Sequence, residues 1–219
     1  MRTRLQRGAV TTTLLAALVL GAAVPWALAG SGPIGEWKFD GDLKNAVGTA
    51  LKMAQLEPVG TNTFQVVDVA GTMKQALVFP QGNGLTLTRI PDAASSTYSV
   101  DVYFEFDATS SYRRIMSFGP NTVDKGLYLY DGIVELYPQK EGTTAIAVDT
   151  WTHVAITRDG KSGKVVVYVD GVPEISYKDS HNKYLLKKGK IVFFVDDGSE
   201  NASGTVSNIR VYDRVIIPV

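Results

Sequence analysis

An all-β fold, an antiparallel sandwich of two sheets, is predicted by three features of this chain. Short β-rich runs recur along it, each closed by Gly, Asp, Asn or Pro. One run, Tyr98 to Phe106, alternates strictly. No long segment has helical periodicity, so the crossover helices that a parallel α/β sheet needs are missing.

The runs follow in order. Ile34 to Phe39 is closed by Asp40-Gly41, and Gly41 to Asn62 reads as loop with a short strand around Thr49 to Met53. Phe64 to Val69, Ala76 to Phe79 and Leu85 to Thr88 lead to the most regular strand. There Tyr98, Val100, Val102, Phe104 and Phe106 point one way, and Ser99, Asp101, Tyr103, Glu105 and Asp107 the other. That is the pattern of a strand with one face in a core and one face wetter. Arg114 to Phe118, Leu127 to Tyr130 and Ile133 to Tyr137 come next, the last two joined by Asp131-Gly132. This dipeptide suits a two-residue hairpin turn with positive φ at both positions. Thr152 to Arg158 precedes a second such hairpin, in which Asp170-Gly171 joins Val165–Val169 to Val172–Tyr177. Lys178 to Lys190 reads as a solvated loop, and Ile191 to Val195 and Val206 to Tyr212 finish the chain. Turn signals every ~8–12 residues argue for one sandwich or barrel domain.

The first residues read as an export signal. Arg2, Arg4 and Arg7 form a basic start, an apolar run extends from Thr13 to Val24, and Ala27-Leu28-Ala29 supplies a small-x-small cleavage site. The run is shorter than the ~20 residues of a membrane span. The expected organisation is therefore residues 1–29 as a signal peptide and 30–219 as the domain, secreted, with no membrane segment in the mature form. Lys and Arg together balance Asp and Glu in the full chain; losing three arginines and no acid takes the mature charge to −3. Such a domain has no electrostatic footprint for nucleic acid. It contains no cysteine, and ~190 residues suffice to bury a core without cross-links.

Three segments carry a resemblance. The first is Glu36-Trp37-Lys38-Phe39-Asp40-Gly41-Asp42-Leu43. The second is Trp151-Thr152-His153-Val154-Ala155-Ile156-Thr157-Arg158-Asp159, followed by Val167-Tyr168-Val169-Asp170-Gly171. The third is Gly204-Thr205-Val206-Ser207-Asn208-Ile209-Arg210-Val211-Tyr212-Asp213. In this order they resemble the bacterial form of the laminin-G-like, concanavalin-A-like lectin/glucanase superfamily. A narrower likeness covers Phe193-Phe194-Val195-Asp196-Asp197 through Ser203-Gly204. The resemblance implies a jelly-roll sandwich, a glycan or surface polymer as partner, or another surface protein, and calcium as the ion such domains hold.

Calcium takes six to eight oxygen ligands. The family pattern puts an acid in the loop after the first strand and an Asp pair in the last; Asn45 and Ser207-Asn208 stand there instead. The better local set is Asp196, Asp197, Glu200 and Asn201. Two histidines, no cysteine and no His-Glu-x-x-His spacing speak against zinc, and His153 reads as structural. Laminarinase-like hydrolases of this fold carry Glu-x-Asp-x-x-Glu or Glu-x-Asp-x-Glu on one strand, and neither occurs here. Asp101, Glu105 and Asp107 come nearest, on a face expected to be wet. Trp151 is expected to anchor the core alongside Val154 and Ile156. Tyr128, Tyr130 and Tyr137 are the candidate ligand-binding residues, because tyrosines in a sheet groove can stack on sugar faces and still offer a hydroxyl. The expected function is non-catalytic binding of a carbohydrate or surface polymer, with a structural or adhesion domain and a polysaccharide hydrolase as alternatives.

Overall fold

The computed structural model describes residues 32–186 and 189–218. The predicted signal segment and Lys187 and Lys188 lie outside them. Fifteen strands occur among the described residues. The first five are β1 (Gly35–Trp37), β2 (Lys52–Leu56), β3 (Thr63–Val69), β4 (Thr72–Phe79) and β5 (Gly84–Thr88). Then come β6 (Tyr98–Phe106), β7 (Tyr112–Ser117), β8 (Gly126–Tyr130), β9 (Ile133–Tyr137) and β10 (Lys140–Ala145). The last are β11 (Thr152–Asp159), β12 (Lys164–Val169), β13 (Val172–Lys178), β14 (Lys190–Phe193) and β15 (Gly204–Tyr212).

They form two antiparallel sheets. One runs β13-β12-β11-β6-β15-β4-β3, with β1 also paired to β15; the other runs β10-β9-β8-β7-β14-β5-β2. The all-β sandwich expected from the alternation is the fold. Ala70-Gly71, Asp131-Gly132 and Asp170-Gly171 all have positive φ at both positions, as two-residue hairpins matching strand twist require. At the start of β15, a Cβ on Gly204 would collide with the Glu105 carbonyl of the neighbouring strand, so the motif glycine permits close pairing of β15 with β6.

The core lies between the sheets. The even-numbered side chains of β6, from Tyr98 to Phe106, are all buried, as are Val154 and Ile156 of β11 and Ile209 and Val211 of β15. From the other sheet come Leu85, Leu87, Leu127, Leu129, Val134 and Leu136. Phe194, just after β14, stacks on Phe79 at 4.4 Å and meets Phe104 and Phe106. The β10 and β13 edges are tied by Glu174, whose carboxylate accepts from the N–H and hydroxyl of both Thr143 and Thr144. Those bonds hold its pKa down at about 2.

Three expectations are corrected. Trp151 does not face the core: along a strand 151 has the parity of 153, not of 154 and 156. Its ring is partly exposed, contacts Tyr103 at 5.3 Å and donates from Nε1 to the Asp68 carbonyl at 2.9 Å. Among the described residues, Trp37 of β1 is the tryptophan buried in the core. Nor is Lys178 to Lys190 simply a solvated loop, because Asp179, Tyr184 and Leu186 within it are buried. Asp101, finally, is not on a wet surface; it is 1% exposed, with Arg210 Nε donating to its carboxylate at 3.0 Å.

Candidate functional site

The outer face of β7, β8 and β9 gathers the tyrosines. Pairing sets Tyr112 opposite Tyr130 and Arg114 opposite Tyr128 between β7 and β8. Between β8 and β9 it sets Tyr130 opposite Ile133, Tyr128 opposite Glu135 and Gly126 opposite Tyr137. Alternation puts all of these on one side, away from the core leucines. Tyr112 is the hub. Its ring meets Tyr130 at 4.5 Å, Tyr137 at 5.6 Å and Tyr128 at 5.9 Å. Sequence reading missed it by starting this strand at Arg114, yet Tyr112 has the same parity as Arg114 and could have been found that way.

Of the three tyrosines proposed from the sequence, Tyr130 is the open one, at 39% exposure, and Tyr137 is half-buried. Tyr128 belongs beneath the surface. Only 1% exposed, it cannot stack on a ligand, and that part of the expectation is corrected. Its hydroxyl accepts a hydrogen bond from Arg114 Nη2 and donates to Asp196 Oδ2 at 3.1 Å. Burial drives its pKa far above the ordinary range, so it stays a donor.

Arg114 is the centre of that buried layer. Both Nε and Nη2 lie 2.5 Å from Asp196 Oδ2, Nη2 reaches the Val123 carbonyl at 3.3 Å, and the guanidinium sits 5.0 Å from the Tyr128 ring centroid. The Glu200 carbonyl accepts from the Arg114 N–H at 3.0 Å, so the 196–201 loop folds over β7. The network explains how an arginine sits with no exposure on a sheet face: its charge is paired through Nε and Nη2, while Nη1 has no partner among the described residues.

The predicted metal ligands meet here too, with different partners. Asn201 Oδ1 accepts from the Asp196 N–H at 2.5 Å and its Nδ2 donates to the Gly198 carbonyl at 2.6 Å, so this side chain braces the loop. Asp196 is held by Arg114. The carboxylates whose oxygens lie within 4.8 Å of one another are those of Asp124, Asp196 and Asp197. Burial, and then the Asp196 charge, pushes the Glu200 carboxyl up. A guanidinium already neutralises the one buried acid, so this donor set fits calcium poorly.

Glu135 is the further residue that sequence reading missed. It is 6% exposed, and its Oε2 has no hydrogen-bond partner among the described residues. Burial raises its pKa, as does Glu141 opposite it on β10. A carboxylate oxygen left unsatisfied beside an aromatic cluster carries a desolvation cost of about 1–3 kcal/mol that a ligand hydroxyl can relieve.

The carboxylates weighed for hydrolysis lie on the other sheet. Asp101 is ion-paired, Asp107 is exposed, and Glu105, its pKa raised by burial, is separated from Asp101 by Tyr103 along the same face.

Comparison with known proteins follows the same lines. The laminin-G-like family model described as the concanavalin A-like lectin/glucanases superfamily matches residues 79–218. No curated protein matches the chain in sequence. Among solved structures, domain 4 of AbnA, a GH43 extracellular arabinanase from Geobacillus stearothermophilus, in complex with arabinotriose, is similar with a TM-score of 0.61 and 20% identity. The match covers 83% of this chain and 92% of that one. The binding domain of botulinum neurotoxin serotype D gives 0.60 and 12%, over 84% of this chain and 49% of that one. The binding domain of botulinum neurotoxin DC in complex with SialylT gives 0.60 and 10%, over 85% and 48%. At these identities the likeness is one of fold. With the family model covering most of the folded region and the strand order of a two-sheet sandwich beneath it, the chain belongs to the concanavalin A-like lectin/glucanases superfamily.

Proposed function

We propose that this domain is an exported, non-catalytic module that binds a glycan or surface polymer on the outer face of β7, β8 and β9. The observation that carries the reading is the contiguous set of Tyr112, Tyr130 and Tyr137 rings beside the unpartnered Glu135 oxygen. Aromatic rings take the apolar face of a sugar while a fixed acceptor orients its hydroxyls. The arabinotriose and SialylT complexes of fold relatives support this class of ligand. The buried Arg114 layer keeps the rings in place.

Tyr130→Ala is expected to weaken retention on the preferred polysaccharide about five- to tenfold, the worth of one ring, with the melting temperature unchanged. Affinity electrophoresis against β-glucans, galactans, arabinans and chitin measures it. Retention unaffected by this change would sink the platform. Reducing-end release that disappears in Glu135→Gln would replace binding with hydrolysis.

Glu135 also sets a pH dependence. Its folded pKa is raised, so the folded state holds the proton more tightly than the unfolded one, and stability falls as pH rises above the ordinary Glu value of 4.5. Glu135→Gln removes that slope. In thermal melts taken from below the ordinary Glu value to well above it, the variant is expected to gain on the wild type as pH rises. An unchanged slope would mean that Glu135 ionises freely.

Export is part of the proposal. N-terminal sequencing of secreted material is expected to start at Gly30, after the Ala27-Leu28-Ala29 site; a start at Met1 would refute cleavage.

A further inference from the structure

A second polar recess lies on the outer face of the other sheet, on the opposite side of the sandwich from the tyrosines. Strands β11, β6 and β15 are neighbours there. Pairing aligns His153 with Tyr103 and Tyr103 with Asn208, and in the next outward row Ala155 with Asp101 and Asp101 with Arg210. Tyr103, His153, Asn208 and Arg210, with Asp170 from the β12–β13 turn, line a cavity of about 400 Å³. That is within the size range of small-ligand sites.

The lining is unusual for a sheet face that serves only packing. Two of its polar atoms, His153 Nε2 and Asn208 Oδ1, are shielded from solvent and have no hydrogen-bond partner among the described residues. Buried polar atoms are nearly always satisfied, and each exception calls for an account. Asp101 beneath them is fixed: its Oδ1 accepts from Arg210 Nε at 3.0 Å and lies 3.7 Å from His153 Nε2, too far for a hydrogen bond. Asp170 is held as well, with its Oδ1 accepting from the His153 N–H at 2.9 Å. Tyr103 supplies an aromatic wall, and Trp151 packs against its ring at 5.3 Å, tilted by 39°. Trp151 therefore buttresses Tyr103 on the outer face rather than filling the core.

We propose that this recess binds one neutral sugar unit, a polyol that presents adjacent hydroxyls. A hydroxyl both donates and accepts, and the walls offer both: Asn208 Oδ1 and the Asp170 carboxylate as acceptors, the Arg210 guanidinium and the Tyr103 hydroxyl as donors. Burial keeps the Tyr103 hydroxyl protonated. The one guanidinium is already paired with Asp101, and Asp170 adds a second carboxylate to the lining, so the recess does not favour an anionic ligand such as a uronate or phosphate. The inference does not rest on the tyrosine platform, because the two sites share no residue and lie on different sheets.

The chain has only two histidines, His153 and His181, so the ring protons of His153 are a readable NMR probe, assigned with His181→Gln. D-glucose, D-galactose, D-xylose and L-arabinose are titrated one at a time, with galacturonate and inorganic phosphate as anionic arms. At least one neutral sugar is expected to shift His153 saturably and leave His181 in place. Asn208→Ala removes an acceptor that no described residue uses, so its melting temperature should not fall, while affinity drops at least tenfold. Calorimetry on His153→Gln gives the same reading by a second route. Tyr130→Ala on the far sheet should leave the titration unchanged, so the platform can fail without this site failing. The proposal is overturned if no neutral sugar moves His153, if only the anions do, or if Asn208→Ala binds as the wild type does.

Discussion

Arg158→Met is expected to lower the unfolding free energy by about 3–5 kcal/mol, the typical cost of leaving one partner of a buried ion pair alone. Both side chains of the Arg158–Asp179 pair are at most 1% exposed, with Nε donating to Asp179 Oδ2 at 3.0 Å. Arg158 also donates to the Ser96 carbonyl at 2.6 Å and to Asn182 Oδ1 at 2.7 Å. Asp179 in turn accepts the backbone N–H groups of Lys183 and Tyr184. The pair thus pins the segment after β13 to one end of the sandwich, where Tyr184 enters the core and its carbonyl receives the Tyr98 hydroxyl at 2.5 Å. Urea unfolding of Arg158→Met, Asp179→Leu and the double variant checks this. The double variant should recover part of the loss, because it leaves no uncompensated charge, the remainder being the Lys183 and Tyr184 N–H groups that Asp179 no longer accepts. A single-variant loss under ~1 kcal/mol would mean that water reaches the pair as it reaches a surface bridge.

That pair also marks how far the sequence could be read. The sandwich was legible because its signals are local: strict alternation in β6 and the Asp-Gly turns depend only on residues next to each other. β10 was missed because Lys140–Ala145 is an edge strand with almost no buried face, so no apolar alternation marks it. The segment from Lys178 to Lys190 looked solvated because its lysines dominate, while Asp179 finds its partner 21 residues earlier. Arg114 and Asp196 lie 82 residues apart, and nothing in either local sequence announces the other. The candidate site was half legible for the same reason. Tyrosines on strand faces could be picked out, but which of them is capped by a folded-over loop is a tertiary fact. Tyr128 is capped and Tyr130 is not. Parity in β11 was available and would have placed Trp151 with His153, outside the core.

The second large effect is expected at Arg114 and joins stability to binding. Arg114→Met should cost about 3–5 kcal/mol, since Asp196, with a side chain 1% exposed, would lose the guanidinium that pairs with it at 2.5 Å and be left buried without it. Tyr128 would lose the same guanidinium from its hydroxyl and from its ring face. The rings of Tyr112 and Tyr137 pack edge-on against Tyr128, so the platform should loosen and polysaccharide retention should fall even in the folded fraction. Arg114→Met/Asp196→Leu separates the two effects. It removes both charges, so much of the stability should return, while the Tyr128 hydroxyl still lacks the partners that fix its ring. Retention is therefore expected to stay below wild type after the melting temperature has recovered. If retention returned together with stability, the buried layer would serve folding alone, and the tyrosines would need no support from Arg114 to bind.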